Sequence, residues 1–193
     1  MGTKTFNNYE DLLTFTRASG GHALRPVSYG SEEVTNGTFD SDLSGWNIVN
    51  NDASNTITYD SGAVDFVGDG SVSLSMNQDN VFTVGVLYQL TIDVTVNAGN
   101  VGGIKIQYAG LDSSIGVVTE SGSYTFNFVP NSTKLEIYRR TGGQATNVTI
   151  DNISVKEVTF DESDGTLTLF EHPNNIPRVE WDAQRNRLGL LVE

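Results

Sequence analysis

Few residues of this chain have the types and spacing that covalent chemistry needs. The two histidines, His22 and His172, lie near opposite ends of the chain, and cysteine is absent, which excludes a thiolate nucleophile and a thiolate metal site. The sequence has no GxSxG motif, no phosphate-binding P-loop and no HExxH zinc pattern. Because a lone histidine seldom marks a site, we interpret both as arm or loop residues and expect a protein that is not an enzyme.

The acidic residues are the other group that could do chemistry. A glycan-cleaving enzyme needs two carboxyl groups ~5–9 Å apart, and no motif pairs two of them here. With 24 Asp and Glu against 11 Lys and Arg, the net charge is −13. We therefore expect neither a nucleic-acid partner nor an anionic membrane surface, since phosphate binding depends on a surplus of basic residues. No secretory leader and no apolar run of the ~18 residues that span a membrane is evident.

The middle of the chain carries the pattern of short β-strands. Residues 88–96 alternate apolar and polar side chains, which places Tyr88 and Leu90 in a core and Gln89 and Thr91 outside it. Two alternating runs change phase at Asp151, which predicts a bulge or a change of sheet. Close Gly- and Asn-rich turns predict an antiparallel β-sandwich of about eight strands, a jelly roll. Other runs of this kind lie at 56–59, 63–67, 71–76, 104–108, 124–128, 135–138, 148–150 and 153–155.

These patterns divide the chain into three parts. We predict an N-terminal arm at 1–32, a jelly-roll domain at 33–158 and a C-terminal arm at 159–193. A short helix is predicted at 9–15 in the first arm, where Asn8 could cap it and acidic residues occupy the first turn.

The two ends of the predicted domain resemble a known family. Val34-Thr-Asn-Gly-Thr-Phe-Asp40, followed by Trp46, and the later Ile150-Asp-Asn-Ile-Ser-Val155 are similar to the opening and closing segments of jelly-roll carbohydrate-binding modules of the family 4/9/22 type. The resemblance implies a jelly roll with a glycan as ligand. It also implies a structural calcium on Asn36, Asp40 and Asp151, which offer hard oxygens. Asn36 could equally be a turn residue and Asp151 a bulge residue, and no other cofactor is expected.

Sugar sites typically combine an aromatic ring with a few polar groups beside it. Tyr138 is the one aromatic residue on the polar side of a predicted strand, so we place a glycan site on Tyr138, Arg140, Gln107 and Asp93. Trp46 is interpreted as a core residue. The same holds for Tyr88, Tyr108 and Tyr124, which fall on the apolar side of their strands.

The two arms resemble segments of tailed-bacteriophage virion proteins. Leu13-Thr-Phe-Thr-Arg-Ala-Ser19 is similar to a segment that those proteins carry upstream of Asn175-Ile-Pro-Arg-Val-Glu-Trp-Asp182 and Arg187-Leu-Gly-Leu-Leu-Val-Glu193. The apolar run 188–192 must pair or dock, either with residues 15–18 or with a neighbouring subunit. An ordinary patch that closes the jelly roll is the alternative. The predicted assembly residues are Phe15, Arg17, Pro177, Arg178, Trp181, Leu188, Leu190 and Leu191.

This second resemblance implies a structural protein on the exterior of a bacteriophage virion. We expect a capsid decoration or cement protein that displays the jelly roll, with a tail-associated carbohydrate-binding adhesin as the alternative. The expected partners are the major capsid protein or tail proteins of the same virion, further copies of the chain with a trimer favoured, and a host-surface glycan.

Overall fold

The computed structural model describes residues 21–108, 114–160, 166–173, 179–181 and 187–190. This described part is all-β and contains no helix. It holds no helix that could cross a membrane. The helix predicted at 9–15 lies outside it. The strands are β1 (Gly21–Glu32), β2 (Asn47–Val49), β3 (Asn55–Asp60), β4 (Ala63–Gly68), β5 (Ser75–Gln78), β6 (Tyr88–Val96), β7 (Ile104–Tyr108), β8 (Ser114–Val118), β9 (Gly122–Phe128), β10 (Leu135–Arg139), β11 (Thr146–Thr159), β12 (Thr166–His172), β13 (Val179–Trp181) and β14 (Arg187–Leu190).

The chain divides into two compact units, a central unit of residues 30–157 and a terminal unit of residues 1–29 with 158–193. Strands β1 and β11 each contribute residues to both. The predicted domain boundaries at 32/33 and 158/159 stay a prediction.

The central unit consists of two antiparallel sheets. One has the strand order β3-β4-β11-β6-β9 and the other the order β2-β5-β10-β7-β8. The chain passes from one sheet to the other at most of its connections, which is the connectivity of a jelly roll. The predicted fold class, an all-β antiparallel sandwich, is confirmed.

Most predicted strands occur where the alternation places them. The predicted bounds of β6 and β7 are those observed, and β11 shifts its register against β6 between Asp151 and Ser154, which confirms the bulge. The prediction for 71–76 is wrong, because Ser71 belongs to a turn in which its N–H donates to Asp69 Oδ1 at 2.8 Å. Strands β2 and β8 were not predicted, which is why ten strands, β2 to β11, replace the expected eight.

One core fills the space between the two sheets of the central unit. Leu90, Ile106 and Ile137 are fully buried in it. Trp46 packs there as predicted, with its ring 5.8 Å from that of Phe39. Tyr88 is buried as predicted, whereas Tyr108 and Tyr124 are only partly buried against the core.

In the terminal unit, β1 pairs antiparallel with β12, from Gly21 opposite His172 to Val27 opposite Thr166. His172 is fully buried, with its ring stacked on Phe160 at 5.4 Å. Both histidines therefore lie in strands, where the prediction had allowed for loops. Strands β13 and β14 form an antiparallel pair, so the predicted strand-like character of the C-terminal run holds for 187–190.

Candidate functional site

A row of polar side chains covers the face of the β2-β5-β10-β7-β8 sheet that points away from the core. Strand β10 lies in the middle of this sheet, and its Leu135 and Ile137 enter the core while Glu136 and Tyr138 point to the opposite side. Cross-strand register places further side chains beside them. We call this set the polar face: Asn47, Ser75, Asn77, Lys105, Gln107, Glu136 and Tyr138.

Glu136 is the centre of the polar face. Its register partners are Asn77 on β5 and Gln107 on β7. One carboxylate oxygen accepts a hydrogen bond from the Ser75 hydroxyl at 3.0 Å, and the other accepts one from the Gln107 amide nitrogen. Because both oxygens are held, the carboxylate has a fixed orientation on the sheet.

Two amide side chains of the polar face, Asn77 and Gln107, are buried. Asn77 is only 2% exposed, and its Oδ1 accepts a hydrogen bond from Asn47 Nδ2 at 3.4 Å. Gln107 is 9% exposed. Rigid amides and a rigid carboxylate of this kind orient a polar ligand without losing side-chain entropy when it binds.

Tyr138 supplies the aromatic ring of the polar face. It lies directly between Ser75 and Lys105 on the neighbouring strands, and it is partly exposed. The guanidinium carbon of Arg139 lies 5.7 Å from the centre of its ring. A ring flanked by a hydroxyl and an ammonium group, one row from the Glu136 carboxylate, is an arrangement that suits stacking with lateral hydrogen bonds.

The structure brings together part of the predicted glycan site. Tyr138 and Gln107 lie on the polar face, although Gln107 is buried and not open to solvent as its strand phase had indicated. Arg140 follows β10 directly and is exposed, and its N–H donates to Gly103 O at 3.1 Å. Asp93 lies in the other sheet, opposite Asp151, so the structure does not bring it to Tyr138.

The predicted glycan site lacks five members of the polar face, which are Asn47, Ser75, Asn77, Lys105 and Glu136. Two of them, Ser75 and Asn77, lie on one strand. The alternation Ser75-Met76-Asn77 was the available signal, since Met76 is buried in the core and its two neighbours are on the opposite face. Misplacing β5 at 71–76 hid that signal.

The predicted calcium residues have other partners in the structure. Asn36 Nδ2 donates to the carbonyl oxygens of Asp42 and Ser44, at 2.9 and 3.0 Å. Asp151 Oδ1 accepts the N–H of Asn152 at 2.7 Å, and Asp40 is exposed. Within the described ranges, no three His, Cys, Asp or Glu side chains gather as a metal site would require. Calcium on these residues stays a prediction.

Five of the eight predicted assembly residues lie outside the described residues, and they are Phe15, Arg17, Pro177, Arg178 and Leu191. The backbone of Leu188 lies in β14. The backbones of Trp181 and Leu190 lie in β13 and β14, where Trp181 pairs with Arg187 and Leu190 with Val179. The proposed pairing with residues 15–18 is therefore untested.

The fold and the polar face together define an all-β protein with a jelly-roll sandwich. Hydrogen bonds orient the side chains of its polar face before any ligand is present. No family model matches the chain. No curated protein matches it either.

Solved structures similar to the chain include the CBM22-1 xylan-binding domain of Paenibacillus barcinonensis Xyn10C, at 13% identity over 68% of this chain and 97% of that one, with a TM-score of 0.48. Another is a family CBM4 structure, at 15% identity over 64% and 99% with a TM-score of 0.44. A third is the N-terminal cellulose-binding domain of Cellulomonas fimi β-1,4-glucanase C, at 18% identity over 70% and 98% with a TM-score of 0.43. At TM-scores below 0.5 these similarities carry no argument, and the fold rests on the chain's own sheets.

Proposed function

We propose that the central unit binds a glycan on the polar face. The observation that supports this is the Glu136 carboxylate, which is fixed by hydrogen bonds from Gln107 and Ser75. It lies next to the partly exposed ring of Tyr138. Sugar hydroxyls donate hydrogen bonds to carboxylates and accept them from amide N–H groups, and the C–H side of a sugar ring stacks on an aromatic ring. Binding without cleavage is the activity proposed, so the protein is not an enzyme.

The test is glycan-array binding of the full chain, followed by calorimetry on any hit with Tyr138→Ala. Loss of the ring should remove binding while the protein stays folded. Tyr59→Ala is the matched control, because Tyr59 is 39% exposed on β3 in the other sheet. A blank array, or equal binding by the wild type and Tyr138→Ala, would refute the proposal.

A second proposal concerns the place where this module works. We propose that the chain is a structural protein of a bacteriophage virion, held by its terminal segments as a capsid decoration protein on the particle exterior. A tail-associated adhesin is the alternative. The support is the ordered presence of the 13–19, 175–182 and 187–193 segments on either side of the sandwich. The acidic charge of −13 also suits a surface remote from packaged DNA.

Attachment is tested in the full chain with Leu190→Asp combined with Leu191→Asp. Each buried leucine would contribute ~1.5–3 kcal/mol to docking, so the double variant should lose occupancy on particles and lose any trimer in solution. Particle occupancy by cryo-electron microscopy and mass by sedimentation give the two readings. If neither changes, the C-terminal segment is not the assembly element. Location of the wild type on the particle separates a capsid from a tail position.

A further inference from the structure

A surface depression of about 380 Å³ lies in the central unit, beside the point where residues 34–38 meet residues 152–154. Small-molecule pockets have volumes of ~300–1,000 Å³, so this one matches a single small ligand. None of its lining residues belongs to the polar face. It is therefore a separate candidate site.

The floor of the depression is apolar and rigid. Val34 and Ile153 line it and are 7% and 3% exposed. Backbone contact fixes the two segments, since Ile153 N–H donates to Gly37 O at 2.9 Å. A ligand with an apolar side can therefore rest on a surface that does not need to rearrange.

The rim of the depression is rich in hydrogen-bond acceptors. Asn36 and Asn152 line it, and the amide nitrogen of each is already used inside the protein. Asn36 Nδ2 donates to Asp42 O, and Asn152 Nδ2 donates to Asp93 Oδ2, both at 2.9 Å. No hydrogen bond to either amide oxygen occurs among the described residues, so both oxygens stay available to a ligand's donors.

Two hydroxyl groups complete the rim. Thr38 and Thr91 line the depression, and a threonine hydroxyl both donates and accepts. Ser154 also lines it, but the hydrogen of its hydroxyl is donated to Glu32 Oε2. The rim thus combines several acceptors with two adaptable hydroxyls.

The charge of the depression excludes anions. Glu32 is its one charged lining residue, and both of its carboxylate oxygens accept hydrogen bonds from the protein, including one from Val155 N–H at 2.7 Å. Asn152 connects the rim to two further carboxylates, Asp93 and Asp151. An incoming carboxylate or phosphate would meet repulsion that no lining cation offsets.

We propose that this depression binds a single non-anionic sugar ring, with the apolar side of the ring on Val34 and Ile153. Its hydroxyl groups donate to the oxygens of Asn36 and Asn152 and exchange hydrogen bonds with Thr38 and Thr91. An added amine on the ring is accepted, because the surroundings are acidic. An added carboxylate is rejected.

The experiment uses the isotope-labelled full chain and three probes that share one ring: glucose, glucosamine and glucuronate. Backbone amide shifts followed by NMR should change at Gly37, Thr38 and Asn152 with glucose and glucosamine but not with glucuronate. Thr91→Val should raise the Kd for glucose about three- to tenfold, the effect of losing one neutral hydrogen bond. Thr95→Val is the matched control on the same strand, since Thr95 does not line the depression, and it should leave the Kd unchanged.

Three outcomes of the sugar titrations would overturn the proposal. They are the absence of shifts with all three probes, binding of glucuronate as tight as that of glucose, and equal Kd values for Thr91→Val and Thr95→Val. The same shifts produced by calcium chloride in the absence of sugar would also overturn it, because they would indicate a cation site. Shifts at 36–38 that persist in Tyr138→Ala support a site independent of the polar face.

Discussion

Gly37 and Ile153 contact each other through their backbones more closely than any side chain at position 37 would allow. Ile153 N–H donates to Gly37 O at 2.9 Å. A β-carbon added to Gly37 would lie 1.9 Å from Ile153 O. The sequence Asn36-Gly37, which resembles a family signature, thus has a local physical role, because it lets the opening segment of the sandwich meet strand β11.

This contact predicts that Gly37→Ala destabilises the protein strongly. The new methyl group would force one backbone segment away from the other. The free energy of unfolding should fall by about 2–3 kcal/mol, as it does when extra groups are inserted into a packed interior. Urea unfolding followed by fluorescence measures the change. Gly122→Ala is the control, since the nearest atom to its added β-carbon is 3.5 Å away. Equal midpoints for the two variants would show that the close contact is not required.

Asn55 is fully buried, and we predict that Asn55→Leu destabilises the central unit by about 1–3 kcal/mol. Its amide nitrogen donates to Asp52 Oδ1 and Ser71 Oγ, both at 3.1 Å, and its Oδ1 accepts the N–H of Asp69 at 3.2 Å. Leucine can make none of these hydrogen bonds, so the surface residues Asp52, Asp69 and Ser71 lose the buried group that holds them to the sandwich. Thermal unfolding measures the effect. Asn131→Ala, at an exposed turn, should change the melting temperature little, and a matching drop there would contradict the prediction.

The free energy of unfolding should fall as the pH drops from neutral to acid, partly because Asp52 becomes protonated. Hydrogen bonds from the backbone N–H of Ser54 and from Asn55 lower the pKa of Asp52 below its ordinary value. A carboxyl whose pKa is lower in the folded state adds stability above its unfolded pKa of about 4, and that stability disappears as the pH falls through the folded pKa.

Asp52→Asn should therefore flatten the loss of stability between neutral and acid pH. The variant should be less stable than the wild type at neutral pH and approach it in acid, as measured by urea midpoints across the range. Asp42→Asn gives a second reading, because hydrogen bonds from Ser44 lower the pKa of Asp42 in the same direction. Parallel curves for wild type and both variants would show that these bonds do not contribute.

Replacing either of two tyrosines on neighbouring strands by alanine should lower the free energy of unfolding by different amounts. Tyr108 stacks on Phe128 with ring centres 6.3 Å apart and packs against the core, so Tyr108→Ala should cost about 2–3 kcal/mol. Tyr138 lies on the polar face, so Tyr138→Ala should cost less than ~1 kcal/mol. Chemical denaturation of both variants measures the difference. A larger loss for Tyr138→Ala would show that its ring is structural.

Much of the sandwich could be predicted from local pattern. The bounds of β6 and β7 followed from strict alternation, because burying one face of a strand imposes a period of two on its sequence. The bulge near Asp151 was visible as a break in that period. Strand β8 was not predictable in this way, since Gly116 interrupts its pattern where the ring of Phe126 packs against the backbone, 2.3 Å from an added β-carbon.

The sequence by itself determined the fold class, the core-facing tyrosine Tyr88 and the polar orientation of Tyr138. Only the tertiary structure decided which polar residues share a surface. Asp93 and Tyr138 look alike in sequence, as outward residues of alternating strands, yet they lie in different sheets. Ser75 and Asn77 join Tyr138 instead, although about sixty residues separate them from it. The physical reason is that alternation specifies which side of a strand is buried, while the choice of neighbouring strand depends on packing between distant segments.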